Sequence, residues 1–276
     1  MEKTTRMRHL IEGPGIVMPG AFNAATALLA EKAGFEAVYI SGAGLSNGAA
    51  GLPDAGLLAL PEMVELAAYI AQSVKVPVVA DADTGFGGPE NAARTVKLFE
   101  QAGVAGIHIE DQTWPKRCGH LTGKTVISTE EMVEKVKAAV EARKSGNFIV
   151  IARTDARSVN GFDDAVMRAN AFIDAGADMI FPEALENRDE FAEFARQVKA
   201  PLMANMTEFG RTAYLPADEF FAMGYRVVIF PMTAFRVAMK AVEDTYRELR
   251  EKGTQKRLLD RMQTRQELYD LLGYKP

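Results

Sequence analysis

A chain of 276 residues, 48% hydrophobic and 25% charged, has the composition of a folded protein and the length of one large domain, which excludes a disordered or low-complexity chain. Its formal charge of -5, with no basic cluster beyond short pairs such as Lys116-Arg117, excludes nucleic acid as a natural partner and favours a small molecule. One cysteine allows no internal disulfide, and no apolar run after Met1 to Arg8 could act as a signal or span a bilayer, so the expected setting is the reducing cytoplasm, with no membrane partner.

From Ile16 to about Arg250, short apolar runs of strand length alternate with longer helical patterns, as in repeated βα units built on a parallel sheet. Strands are expected at Ile16 to Pro19, Ala37 to Ser41, Val78 to Ala82, Gly106 to Glu110, Phe148 to Arg153, Met179 to Glu183, Leu202 to Asn205 and Val227 to Phe230. Several of these runs are continuously apolar, which suits strands covered on both faces. Pro61 and Pro89 stand where first helical residues would, because a missing N–H costs nothing there. Ser128 with Glu131, and Asn187 with Glu190, have the spacing of a reciprocal helix cap. Gly34, Gly103 and Gly176 close helices in the left-handed conformation and lead at once into strands.

The dipeptides Ala33-Gly34, Ala102-Gly103, Ala175-Gly176 and Met223-Gly224 each precede a strand, so the units echo one another. Eight units close most simply as a (βα)8 TIM-type barrel. A doubly wound open sheet is the alternative, and the absence of Gly-x-Gly-x-x-Gly after the first strand counts against it. A single barrel domain is expected over 1–276, with 253–276 a helical extension beginning at Gly253. Its Leu258, Leu259, Met262, Leu268, Leu271 and Leu272 have two possible uses, covering the barrel's own flank or packing on a neighbouring subunit.

In such a barrel the chemistry belongs to the carboxyl ends of the strands. Asp81-Ala82-Asp83 puts two carboxylates two residues apart at one strand end, with Glu110 at the next. An all-oxygen set suits Mg²⁺, with Mn²⁺ a possible substitute; the alternative is salt bridging to Arg153 and Lys116. Ser41, Gly42 and Ala43 offer a hydroxyl and amides to a carboxylate, and Arg153 a planar fork to another. The loop from Asp111 to Ser128 is long for a barrel and carries Lys116, Arg117, Cys118, Gly119 and His120. Basic neighbours lower a thiol pKa, and Lys116 and Arg117 are expected to lie near the surface. Cys118 is then either a proton donor on a lid or a nucleophile with His120 as base.

The motif Lys116 to His120, preceded by Gly-Ile-His-Ile-Glu-Asp-Gln and Asp-Ala-Asp-Thr-Gly-Phe-Gly, resembles the lyase branch of the isocitrate lyase and phosphoenolpyruvate mutase superfamily. The likeness runs from Tyr39 through Ile-Ala-Arg-Thr-Asp-Ala, Phe-Pro-Glu-Ala and Asn-Met-Thr-Glu-Phe-Gly to Met-Gln-Thr-Arg, so it covers nearly the whole chain. It implies a metal site at Asp81, Asp83 and Glu110, Cys118 as the catalytic acid, and Tyr39 or Glu110 as base. Catalytic roles for Arg153 and His120 follow as well. The implied substrate contacts are Ser41, Gly42, Ala43, Asp54, Lys116, Arg117, Gly119, His120, Arg153, Glu183, Asn205, Thr207, Arg236 and Arg265.

The implied reaction is retro-aldol-type cleavage of a 2-hydroxy tricarboxylate, 2-methylisocitrate, to pyruvate and succinate. The implied assembly is a homotetramer of helix-swapped dimers. Ala43 departs from the second glycine usual after the serine, and isocitrate lyases proper are longer. Phe181 and Ile229 are candidates to surround the extra methyl. Other substrates within reach are isocitrate or another substituted malate, and other activities are a phosphonomutase or oxaloacetate hydrolase; Cys118 argues against the last two. A silent barrel that only binds dicarboxylates would require a lost ligand or acid, and none is missing.

Overall fold

Ten residues of amphipathic helix precede the first strand. In the computed structural model, which describes residues 1–275, this helix is α1 (Lys3–Glu12). There follow β1 (Ile16–Pro19), α2 (Ala24–Lys32), β2 (Val38–Ile40), the short α3 (Gly42–Leu45), α4 (Leu60–Ser73), β3 (Val78–Asp81), α5 (Pro89–Gln101) and β4 (Gly106–Glu110). The second half runs α6 (Thr129–Ala142), β5 (Ile149–Thr154), α7 (Phe162–Asp174), β6 (Met179–Pro182), α8 (Arg188–Gln197), β7 (Met203–Asn205), α9 (Ala217–Met223), β8 (Val227–Phe230), α10 (Thr233–Lys252) and α11 (Arg265–Leu272).

All strand pairs are parallel, in the orders β1-β8-β7 and β2-β3-β4-β5-β6. Single bridges, Gly20 to Tyr39 and Ile180 to Leu202, join these two arcs. The result is the expected (βα)8 TIM-type barrel. Each strand lies within a residue or two of its expected run, because continuous burial on two faces leaves an unbroken apolar signature.

Side chains fill two layers. Met18, Tyr39, Val79, Ile151, Phe181, Met203 and Ile229 pack inside the ring, and Met7 and Ile11 of α1 plug its amino-terminal end. A larger layer, including Phe99, Val136, Phe172, Phe191 and Phe194, lies between strands and helices. Burying one such side chain contributes about 1.5–3 kcal/mol, so the ring is held mainly by these two layers.

The caps fall largely as their sequences require. Ser128 and Glu131 cap α6 reciprocally, at 3.1 and 3.0 Å. Asn187 accepts from the Glu190 amide at 3.0 Å, but the Glu190 carboxylate turns to the Glu186 amide and Arg157 instead of returning to Asn187. Pro61 is the second helical residue, since Leu60 begins α4, while Pro89 is the first of α5. Gly34, Gly103 and Gly176 have φ of 91°, 89° and 103°.

Past the ring, α11 packs against α2 of its own barrel and Leu258 is buried. Helix α10, like α11, has no fully buried residue, and its Val237, Val242 and Tyr246 face outward. A groove of 570 Å³ separates its first turns from β1, α2 and β8. Among the described residues no helix is long and apolar enough to cross a membrane. Pro276, the last residue of the expected extension, lies outside the described residues.

Candidate active site

The carboxyl ends of the strands face a cavity of 160 Å³. Tyr39 of β2, then Ser41, Ala43 and Asn47, form one wall; Asp81, Arg153, Glu183, Asn205 and Thr207 continue it from later strands. Phe181 and Ile229 make its apolar face, and Arg236 of α10 stands at the rim. Asp54, Lys116, Arg117, Cys118, Gly119 and His120 cover it. A larger cavity of 710 Å³ lies beside the β3 and β4 loops, but no carboxylate, thiol or imidazole lines it, so convergent chemistry singles out the smaller one. Gly42, Asp83 and Glu110 lie directly behind the lining. Arg265 does not reach it; that residue is exposed at the start of α11, on the flank beside α2.

The acidic floor is built on Gly42. Asp81 accepts the Gly42 amide at 3.1 Å and the Asp83 amide at 3.0 Å. A Cβ on Gly42 would meet Asp81 Oδ2 at 2.9 Å, so glycine is what lets that carboxylate approach, while Asp83 Oδ1 would lie at an ordinary contact distance of 3.4 Å. Lys116 Nζ lies 2.8 Å from Asp83 Oδ1 and also pairs with Asp54. Lys116 is therefore buried, contrary to the expectation for a loop lysine, because two carboxylates compensate its charge. Arg153 Nη1 stands 3.4 Å from Glu110 Oε2, while Glu110 Oε1 is buried without a partner.

Burial opposes ionisation of Asp81, yet His108, Lys116 and Arg153 outweigh it and hold the carboxyl below its usual range. Burial instead dominates at Asp83, raised to about 6, and at Glu110, raised well above the ordinary carboxyl value. Among the described residues no three acidic, histidine or cysteine side chains close on one point; the salt bridges to Lys116 and Arg153 are formed. The all-oxygen set, the free Glu110 oxygen and the glycine cradle before Asp81 and Asp83 nevertheless suit a hard divalent cation.

The segment 111–128 is a stapled lobe. Gln112 bridges Val126, the Thr113 amide donates to Thr125, and the Ile127 amide to Asp111, each of the latter at 2.9 Å. The Gln112 side chain holds the Arg117 backbone from both sides, at 2.8 and 2.9 Å. At the lobe's inner edge Gly119 passes against the Arg153 guanidinium and Glu183, where a Cβ would come within 2.7 Å of the Glu183 carboxyl carbon. His120 Nδ1 accepts the Arg211 amide at 3.2 Å, and Nε2 faces Glu183 at 3.0 Å.

Both nitrogens of the His120 imidazole are thus engaged with Arg211 and Glu183 and not with the thiol. Burial pushes the Cys118 thiol up, the reverse of the lowering expected from its basic neighbours. Lys116 is committed to Asp83 and Asp54, and Arg117 is exposed.

One participant that sequence reasoning missed is His108, at the centre of β4. Its Nε2 lies 2.7 Å from the Tyr39 hydroxyl and 3.6 Å from Asp81 Oδ1. Burial lowers its pKa to about 4, so the imidazole is neutral near neutral pH and carries charge only in the acid range where Asp81 titrates, and burial followed by the Asp81 charge raises Tyr39. A lone histidine inside an apolar strand is the signal that could have found it, since a buried polar group requires a partner. Asn47, Pro231 and Met232 also line the cavity and carried no such signal.

Comparison with known proteins gives these features relatives. The phosphoenolpyruvate phosphomutase family profile matches residues 7–250. The 2-methylisocitrate lyase of Aeropyrum pernix is 56% identical over 269 residues, covering 97% of this chain and 86% of that protein. The crystal structure of a 2,3-dimethylmalate lyase superposes with a TM-score of 0.93 at 38% identity, covering 99% of this chain and 92% of that one. A phosphonopyruvate hydrolase solved with oxalate and magnesium gives a TM-score of 0.89 at 32% identity, covering 99% and 95%.

Proposed function

Because the chain belongs to the phosphoenolpyruvate phosphomutase family, within the isocitrate lyase and phosphoenolpyruvate mutase superfamily, we propose that it is a carbon-carbon lyase cleaving 2-methylisocitrate to pyruvate and succinate. The observation that carries this reading is Cys118, a protonated thiol on a stapled lobe above a pocket of Arg153, Asn205, Glu183 and Ser41. Phosphonate chemistry has no use for such a group.

The Arg153 guanidinium and the Asn205 amide on the cavity wall support binding of carboxylates, with Arg236 extending the cationic rim. Tyr39, whose hydroxyl meets His108, and Glu110, which has one free oxygen, are the two groups that support removal of the proton from the substrate's hydroxyl. As that oxygen becomes the ketone of pyruvate, the carbon-carbon bond breaks and its electron pair leaves on the succinate fragment. Arg153, Asn205 and the Gly119 and His120 amides offset the developing charge. Cys118 then gives its proton to the carbanion and regains one from solvent. A thiol raised by burial suits that role better than it suits a nucleophile. Phe181 and Ile229, both buried on the cavity's apolar face, support a pocket for the methyl group.

Asp81, Asp83 and Glu110 would hold Mg²⁺, or Mn²⁺ in its stead. The cation, when bound, supplies positive charge against the substrate's hydroxyl and adjacent carboxylate. The bare apolar face of α10 and the groove beside it support a homotetramer of helix-swapped dimers. The single unpaired thiol supports a cytoplasmic setting.

The test is an assay with 2-methylisocitrate, isocitrate, 2,3-dimethylmalate and phosphonopyruvate, before and after chelation. Pyruvate is expected from the first, fastest of the four and lost with the metal. No pyruvate from 2-methylisocitrate would overturn the reading.

A further inference from the structure

We propose that Lys124 is the positioning residue that fixes Cys118, Gly119 and His120 over the cavity, by joining the Gly119 carbonyl on the lobe to the Asp155 carboxylate on the barrel. The tether is read from contacts alone; only its effect on turnover rests on the lyase reading.

The Lys124 side chain is 1% exposed, and Asp155 is fully enclosed. An ammonium is costly to bury, so its partners define why it is there. Its Nζ donates to Asp155 Oδ1 at 2.7 Å and to the Gly119 carbonyl. Asp155 is itself immobile, because its amide donates to Asp111 Oδ1 at 2.8 Å and its Oδ2 accepts Arg153 Nε at 3.0 Å. Thr154 Oγ1 and Arg168 in turn hold Asp111, at 2.8 and 3.2 Å. A continuous polar chain therefore runs from α7 through the end of β5 to residue 119.

Neutralising Asp155 does not require Lys124, since Arg153 already donates to both its oxygens. What Lys124 adds is reach to the lobe. Lys116 pins the other side of the motif to Asp54 and Asp83, so the thiol hangs between two buried lysines bound to different parts of the barrel. The contact at Gly119 leaves no slack, for a Cβ there would already overlap Arg153 and Glu183.

The experiment compares wild type, Lys124→Met and Lys124→Arg as full-length protein with Mg²⁺, using two readouts. Cys118 is the sole cysteine, so its alkylation by iodoacetamide reports lobe position with or without catalysis. Expected for Lys124→Met are a severalfold faster alkylation and a kcat lower by about 10²-fold, the cost of a misplacement near 1 Å, with a smaller change in KM. Lys124→Arg should recover part of both. Alkylation and kcat within twofold of wild type would overturn the proposal, as would faster alkylation with kcat unchanged. If the wild type has no lyase activity, the alkylation arm still decides the tether while the functional reading fails. Should Lys124→Met not fold, hydrogen exchange of the wild type replaces it: amides 118–122 are expected to be protected, and exchange at free-peptide rates would overturn the tether.

Discussion

The Cys118 thiol stands between opposed influences. Two cations precede it in the chain, yet one is tied to Asp54 and Asp83 and the other lies outside, its backbone held by Gln112. Burial is left as the larger effect, and it favours the neutral thiol. The pH profile of Cys118 alkylation is accordingly expected to have its midpoint above the free-cysteine value of about 8.5. A midpoint below that value would mean that the lobe cations reach the sulfur. Sequence exposed the neighbours of this residue but not their other partners, because Asp54 and Asp83 lie 62 and 33 positions from Lys116. His108 shows the same limit, for its partner Tyr39 is 69 residues away.

Elements with a local cause were legible. The strands announced themselves by unbroken apolar runs, and α6 by Ser128 and Glu131, since each signal is complete within a few residues. The stapled base of the lobe was not, because Gln112 meets Val126 across fourteen positions without the Asn-Gly or Asp-Gly pair that marks a tight hairpin. The same lobe yields a sharp expectation for Gly119→Ala. The added methyl overlaps Arg153 and Glu183, so the lobe must lift. Steady-state kinetics are expected to show kcat/KM down by about 10²-fold, with thermal stability nearly unchanged because the barrel layers are untouched. A fully active Gly119→Ala protein would mean that the lobe rides higher during turnover.

At the scale of the whole molecule, closure of the ring was predictable from eight repeated units, whereas the fate of its last helices was not. Amphipathicity says that α10 has an apolar face and leaves open what covers it. Val237 is 67% and Tyr246 68% exposed, on a helix with no fully buried residue, whose Phe235 packs edge-on against Phe22 of its own chain. Replacing both by Asp is expected to lower the mass found by sedimentation while leaving the circular dichroism unchanged; an unaltered mass would assign that face to solvent. The proposed assembly would also tie folding to abundance. If a second copy covers α10, it binds the native chain and not the unfolded one, so mass action makes stability rise with the logarithm of protein concentration. The melting temperature of a dilute sample should therefore fall below that of a concentrated one, and the amount of this protein present would itself set the fraction that stays folded.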